Sequence, residues 1–356
     1  MRLQRALLGT LLSAAVIAVA ACGSSPSASN GASGSGSASS GASFYKGKTI
    51  TFIAPDKPGG SFDLWARLLS RYMGQYLKAT VNVENVPPGN TIVGQNQLAA
   101  AKNDGLTIGW INAGEDVADK VKGTAGVNFD PAGLSFIGAP GFGQLVFVAQ
   151  PSSPYKTFTS LTKATSPVTS LDVTKGSGDT YERVVLGAYG IKAKIITGYE
   201  SSKDIGAGFL RNDGQIAEEE LAVFQNAITS HRAVPLLVSS AVPPQNPTYQ
   251  EMKSVPTLQQ LSSQHPPASS QGKAAIKDLL ALITTAQTVV APKGVPAGQL
   301  KALRAAMKWA MQQPALKNQA LKESLNPTYY SGPAAQANYR KAQGSAQALK
   351  SYLKGS

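Results

Sequence analysis

The stretch from Thr49 to Tyr76 constrains the fold most. Thr49, Ile50, Thr51, Phe52, Ile53 and Ala54 form a β-branched and apolar run of strand length, which Pro55-Asp56-Lys57-Pro58-Gly59-Gly60-Ser61 interrupts. Leu64, Trp65, Leu68, Leu69, Tyr72, Met73 and Tyr76 then recur at helical spacing and predict an amphipathic helix whose start Ser61 or Asp63 can cap. Short apolar runs alternate with helical patterns along the rest of the chain, so the predicted class is α/β. A strand, a glycine loop and a helix N-terminus aim backbone N–H groups and the positive end of a helix dipole at one point, which suits a carboxylate. The same Gly-Gly-Ser also serves as a plain turn and cap elsewhere.

The N-terminus sets the compartment. Arg2 and Arg5 precede a mostly apolar run, Ala6 to Ala21, interrupted by Gly9, Thr10 and Ser13. The run falls short of the roughly 20 apolar residues of a spanning helix, and it reads as a secretory signal over residues 1–21. Val19-Ala20-Ala21-Cys22 resembles the bacterial lipobox, with Val19 where leucine is usual; the resemblance implies that Cys22 is lipidated and becomes the first mature residue. Residues 23–43 hold only Gly, Ser, Ala, Pro26 and Asn30. Such a stretch has no means of burying a core, so residues 22–43 are predicted to be a disordered, lipid-anchored linker, spanning on the order of 25 Å. The expected location is the cell envelope, on the outer face of the cytoplasmic membrane.

Several chemistries lack their residues. Cys22 is the single cysteine, and His231 and His265 are the two histidines, with no HExxH or paired Cys/His spacing. No metal and no cofactor are expected. No G-x-S-x-G follows a strand, and both histidines sit in Pro-flanked or loop-like surroundings, which argues against a hydrolase triad and against an enzyme. The net charge of +13 becomes +11 once Arg2 and Arg5 are removed with the signal. The positive charges are scattered rather than clustered with aromatic residues, so nucleic acid is not an expected partner. A solvated basic surface and long-range attraction of small anions both fit.

Pro58-Gly59-Gly60-Ser61-Phe62-Asp63 is followed by Val83-Glu84-Asn85, by Pro87-Pro88-Gly89-Asn90-Thr91-Ile92-Val93-Gly94 and by Asp104-Gly105-Leu106-Thr107. In order and spacing these motifs resemble the substrate-binding proteins of tripartite tricarboxylate transporters, the Bug or TctC-like receptors. Further on, Phe129-Asp130-Pro131, Phe136-Ile137-Gly138, Gly176-Ser177-Gly178, Val255-Pro256-Thr257-Leu258 and Ala291-Pro292-Lys293-Gly294-Val295-Pro296 continue the likeness more weakly. The resemblance implies a type II periplasmic-binding-protein fold with a ligand cleft between two α/β domains. Domain 1 is expected over residues 44–145 and 288–356, and domain 2 over 146–287. Leu300, Leu303, Ala306, Met307, Ala310 and Met311 supply a stripe for a late helix on the first domain.

The resemblance and the residues around its two glycine loops together give an expected ligand site at Lys57, Pro58, Gly59, Gly60, Ser61, Asp63, Asn90 and Thr91 on one side, and at Lys175, Gly176, Ser177, Gly178 and Tyr199 on the other. Lys57 and Lys175 depart from the family pattern and read either as charged walls or as solvated loop lysines. Asp63 is an N-cap, a ligand-organising group, or both. Tyr199 stands alone in Gly198-Tyr199-Glu200-Ser201, where the family has Pro-Tyr-x-Gly, and a half-buried aromatic is its other reading. Ala217 replaces a usual aspartate, and the following Glu218-Glu219-Glu220 reads as a solvated helix face or as a cleft group. The expected function is a monomeric solute-binding lipoprotein that captures a small organic acid and delivers it to transporter membrane subunits or to a sensor. The alternative is a cell-envelope interaction or assembly lipoprotein that keeps the fold without carrying a small ligand.

Overall fold

The computed structural model describes residues 37–87, 91–141, 144–173, 180–199, 202–240, 250–283, 287–323 and 325–353. Helix α1 (Ser37–Tyr45) leads into strand β1 (Thr49–Ala54), the glycine loop, helix α2 (Ser61–Leu77) and β2 (Thr80–Asn85). Then come α3 (Ile92–Ala100), β3 (Thr107–Ile111), α4 (Ala113–Lys122), β4 (Ser135–Ala139) and β5 (Leu145–Ala149). The middle of the chain holds α5 (Phe158–Leu161), β6 (Val168–Val173), α6 (Thr180–Ala188), β7 (Ala193–Tyr199), α7 (Ser202–Leu210), β8 (Ile216–Glu220), α8 (Leu221–Thr229) and β9 (Val234–Val238). It closes with α9 (Leu258–Gln264), α10 (Ser270–Ile283), β10 (Thr288–Ala291), α11 (Ala297–Gln312), α12 (Pro314–Lys322), β11 (Tyr330–Ser331), α13 (Gly332–Ser345) and α14 (Lys350–Leu353). Among the described residues no helix is long and apolar enough to cross a membrane.

The strands form two sheets, as the α/β reading expects. One has the order β11-β4-β10-β3-β1-β2 and the other β7-β6-β8-β5-β9. In the first, β1 runs parallel to β2 and β3, while β10 returns antiparallel between β3 and β4. In the second, β6 is parallel to β7 and β8, and β5 is antiparallel to β8 and β9. The chain thus leaves the first sheet after β4 and comes back to it at β10.

Helix α2 buries the predicted stripe. Trp65, Leu68, Leu69, Tyr72 and Met73 face the core, where they share a cluster with Leu303, Ala306, Met307 and Ala310 of α11. The stripe ends at Tyr76, which is largely exposed but sets its ring 5.7 Å from that of Trp309. The α2 cap differs from the sequence reading: Gly60 is the N-cap residue and no side chain caps the helix. The Ser61 hydroxyl is turned away toward Glu220, and the Asp63 carboxylate folds back to accept from Gly59 N–H at 2.9 Å.

Two further expectations are corrected. The linker was expected to remain disordered to residue 43, but α1 begins at Ser37. Tyr45 is fully buried, and its hydroxyl donates to the Gly105 carbonyl at 3.0 Å. Gly41 lies so close to the Gly298 carbonyl that a Cβ would collide with it. A small-residue helix with two aromatics at its end, Phe44 and Tyr45, therefore finds a seat that composition alone does not reveal. The second correction concerns Glu218-Glu219-Glu220, which form the end of β8 rather than a helix face. They pair with Phe147, Val146 and Leu145 of β5, and β6 flanks the other edge of the same strand. Glutamate is a poor strand former in isolation, and pairing with β5 decides its conformation here, while β6 pairs only with Ile216 and Ala217 at the start of the strand.

Candidate functional site

The loop from Asp56 to Ser61 owes its shape to contacts within the chain. Gly59 adopts φ +89°, a left-handed conformation that favours glycine. Asp63 is almost fully buried and gathers the loop: Oδ2 accepts from Gly59 N–H at 2.9 Å and from Arg67 Nε at 3.0 Å, while Oδ1 accepts from Asn85 Nδ2 at 2.9 Å. Arg67 Nη2 also pairs with Oδ1 at 2.8 Å. Burial works against the charge, but the hydrogen bonds from Arg67, Gly59 and Asn85 and the Arg67 charge prevail, holding the Asp63 carboxyl below its ordinary range. Asn85, the last residue of the Val-Glu-Asn motif, also donates to the Asp56 carbonyl at 3.1 Å. That asparagine is the pin between the end of β2 and the glycine loop.

The backbone donors of the two glycines are engaged inside the loop. Gly59 N–H goes to Asp63, as above, and Gly60 N–H goes to the Lys57 carbonyl at 3.1 Å. The Asp56 carboxylate occupies the place where a side chain on Gly60 would stand. Burial raises the Asp56 pKa, and nearby Asp63 adds to the rise. Lys57, Pro58 and Gly59 are exposed. Thr91 precedes α3 with φ 74°, and its hydroxyl accepts from Gln95 Nε2 at 2.9 Å. Asn90, Lys175, Gly176, Ser177, Gly178 and the lipidation candidate Cys22 lie outside the described residues.

The two sheets meet at Ser61. Its hydroxyl donates to Glu220 Oε1 at 2.7 Å and accepts from Gln287 Nε2 at 2.7 Å. Ser61 opens α2 of the first sheet, Glu220 ends β8 of the second, and Gln287 lies just before β10. A second bridge joins Thr180 of α6 to Glu115 of α4, with the threonine hydroxyl donating at 3.0 Å. Beside it, the Tyr181 hydroxyl presses on Gly114, where a Cβ would collide with it. Tyr199, by contrast, points elsewhere: its hydroxyl donates to Asp213 Oδ2 at 3.0 Å, and Arg211 pairs with the same oxygen at 2.8 Å.

Carboxyl groups dominate the junction. Burial pushes Glu218 and Glu219 each up to about 8, with further upward contributions to Glu218 from Glu219 and Asp172, and to Glu219 from Glu220 and Asp172. Opposing hydrogen bonds come from Ser239 to Glu218 and from Ser202 to Glu219. Glu220 is raised by burial first and by Asp56 second, against the Ser61 hydrogen bond. Burial also raises the Tyr181 phenol, and Glu115, Glu218 and Asp116 add to it. Gln287 and Asp56 were not identified as site residues from the sequence, and Glu220 was read there either as part of a solvated helix face or as a cleft group. Gln287 has no local pattern to mark it, and the glutamate run carried only its charge.

No family model matches the chain. A UPF0065 protein from the tcbD–tcbE intergenic region of Pseudomonas sp. strain P51 is 36% identical over 76 residues, a match spanning 21% of this chain and 22% of that relative. Three solved structures share the fold. The periplasmic binding protein BugD aligns with a TM-score of 0.66 at 18% identity, over 87% of this chain and 98% of its own. A TctC solute binding protein from Polaromonas gives 0.63 at 15% identity, over 85% and 98%. MatC from Rhodopseudomonas palustris, with bound malate, gives 0.63 at 15% identity, over 86% and 99%. The chain has the two-sheet fold of the TctC and Bug periplasmic binding proteins, which its N-terminal motifs resemble.

Proposed function

We propose that this chain is an extracytoplasmic solute receptor, lipid-anchored through Cys22, which closes two α/β domains on a small organic acid and acts without catalysis. The observation that carries the reading is the junction itself. A helix N-terminus of one sheet and a strand end of the other meet at Ser61 and Glu220, the place where a ligand enters an open α/β architecture. The two bodies correspond to residues 44–145 with 288–356 and to residues 146–287. Bound malate in MatC supports an acid as the ligand class.

In this reading the ligand carboxylate sits at the outer rim, near the first turn of α2. Lys57 stands in that loop, and the Lys203 ammonium of α7 comes from the opposite side to 4.0 Å from where a Cβ on Gly59 would be. In this proposal Gly59, Gly60, Ser61 and Thr91 line the approach. The receptor then passes its solute to membrane subunits of a transporter or to a sensor. Calorimetry of the mature chain against di- and tricarboxylates, aromatic acids and amino acids tests this, with binding of at least one acid expected. Heat from none of them would point to the envelope-interaction alternative.

A further inference from the structure

The wall where the sheets meet is rich in acceptors and short of donors. Glu220 Oε1 accepts from the Ser61 hydroxyl, and the Ser61 oxygen accepts from Gln287. Gln287 is only 4% exposed, and its own Oε1 has no hydrogen-bond partner among the described residues. A buried amide oxygen without a donor is unfavourable, and such groups are ordinarily satisfied. The charges facing Glu220 are Asp56 from the β1–α2 loop and Glu219 on its own strand, with Glu218 and Asp172 of β6 facing Glu219. The nearby cations serve other places. Arg67 is paired with Asp63, while Lys57 and Lys203 are exposed at the rim.

We infer that this wall receives a protonated primary amine of the ligand, with the ammonium donating to Glu220 Oε1, Gln287 Oε1 and Ser61 Oγ. An ammonium offers three donors and no acceptor, which matches a wall of three acceptor oxygens. In the ligand-free chain the Ser61 hydroxyl supplies the donor that Glu220 needs; on binding, the ammonium takes over that role and the Ser61 oxygen, which already accepts from Gln287, accepts a second hydrogen bond. A metal ion fits less well, because among the described residues no three His, Cys, Asp or Glu side chains are arranged to hold one. The inference rests on the receptor reading and narrows its ligand to an organic acid that also carries an amine. The acid end lies at the rim with Lys57 and Lys203, and the amine end lies against Glu220.

Three compounds with the same three-methylene spacer test the assignment: glutarate, 4-aminobutanoate and propane-1,3-diamine. Calorimetry of the wild-type chain should show 4-aminobutanoate binding at least ten times tighter than glutarate. Its affinity should rise with pH for as long as the amine keeps its proton, because burial holds the Glu220 carboxyl above its ordinary range and the ammonium is best held by the ionised form. Glu220→Gln should weaken 4-aminobutanoate at least tenfold and leave glutarate within about twofold. If glutarate binds and neither amine does, or if amine affinity falls as pH rises, the amine assignment is overturned while the receptor reading stands. If these three and the wider acid panel all fail to bind, both are overturned.

Discussion

Ser61 and Glu220 lie 159 positions apart, and the hydroxyl of the first donates to the carboxylate of the second at 2.7 Å. This one bond ties the N-terminus of α2 to the end of β8, and so couples the glycine loop to the acidic wall. Removing the donor leaves a partly buried carboxyl oxygen unsatisfied, which costs about 1–3 kcal/mol. Ser61→Ala should therefore lower Tm by several degrees, whereas Glu220→Gln should cost less, because the amide oxygen still accepts from Ser61. Thermal melts of both variants check this order. Equal melting of Ser61→Ala and wild type would show that the bond does not form in solution.

Stability should fall as the pH rises through neutrality. Glu218 and Glu219 are pushed from about 4.5 in the unfolded chain to about 8 in the folded one. Between those values the folded state holds protons that the unfolded chain has released, so the contribution is complete below about pH 4.5 and is lost by about pH 8. Tm measured from pH 5 to 9 should decline and then level off, and Glu219→Gln should flatten the decline. A Tm that climbs over this range would contradict the placement of the glutamates.

At the acid end the sign reverses. Asp63 is held below its ordinary range, so its stabilisation is present above the unfolded value near 3.8 and is lost as pH falls through the lower folded value. Asp63→Asn removes that dependence and sets an amide N–H group among donors from Gly59, Arg67 and Asn85. A loss of about 1–3 kcal/mol at pH 7, shrinking toward pH 3, is the expected result by urea denaturation. An undiminished difference at pH 3 would argue against the charge as the cause.

Two truncations locate the edge of the folded body. Deleting residues 1–36 should leave Tm unchanged, and deleting residues 1–45 should lower it sharply, since it removes the buried Tyr45 ring and its bond to Gly105. Loss of a buried aromatic costs roughly 3–5 kcal/mol. If both truncated chains melt alike, α1 is not part of the fold.

The anchor is tested separately. Cys22→Ala should leave the chain soluble or uncleaved, and mass spectrometry of the wild-type mature protein should find a lipid on Cys22. An unmodified Cys22 would refute the lipoprotein reading.

The α/β class, α2 with its stripe, the α11 stripe and the family likeness were legible in the sequence because they rest on local signals. Strand and helix periodicities repeat within a few residues, and Pro-Gly-Gly-Ser-x-Asp and Val-Glu-Asn are contiguous. Even the role of Asp63 as a loop organiser was within reach, since Gly59, Asp63 and Arg67 are close in sequence. The acidic wall was not. Glu218 to Glu220 read either as a solvated helix face or as a cleft group because charge alone leaves both open, and only pairing with β5 makes them a strand end inside the junction. Gln287 meets Ser61 across 226 positions, and no local pattern encodes such a contact. The burial of Tyr45 against Gly105 likewise depended on a seat that forms only after the first sheet and α11 have packed. Periodicity fixes which faces seek the core. Which polar groups become trapped where those faces meet is decided by tertiary packing, because burial and pairing depend on residues brought together from distant parts of the chain.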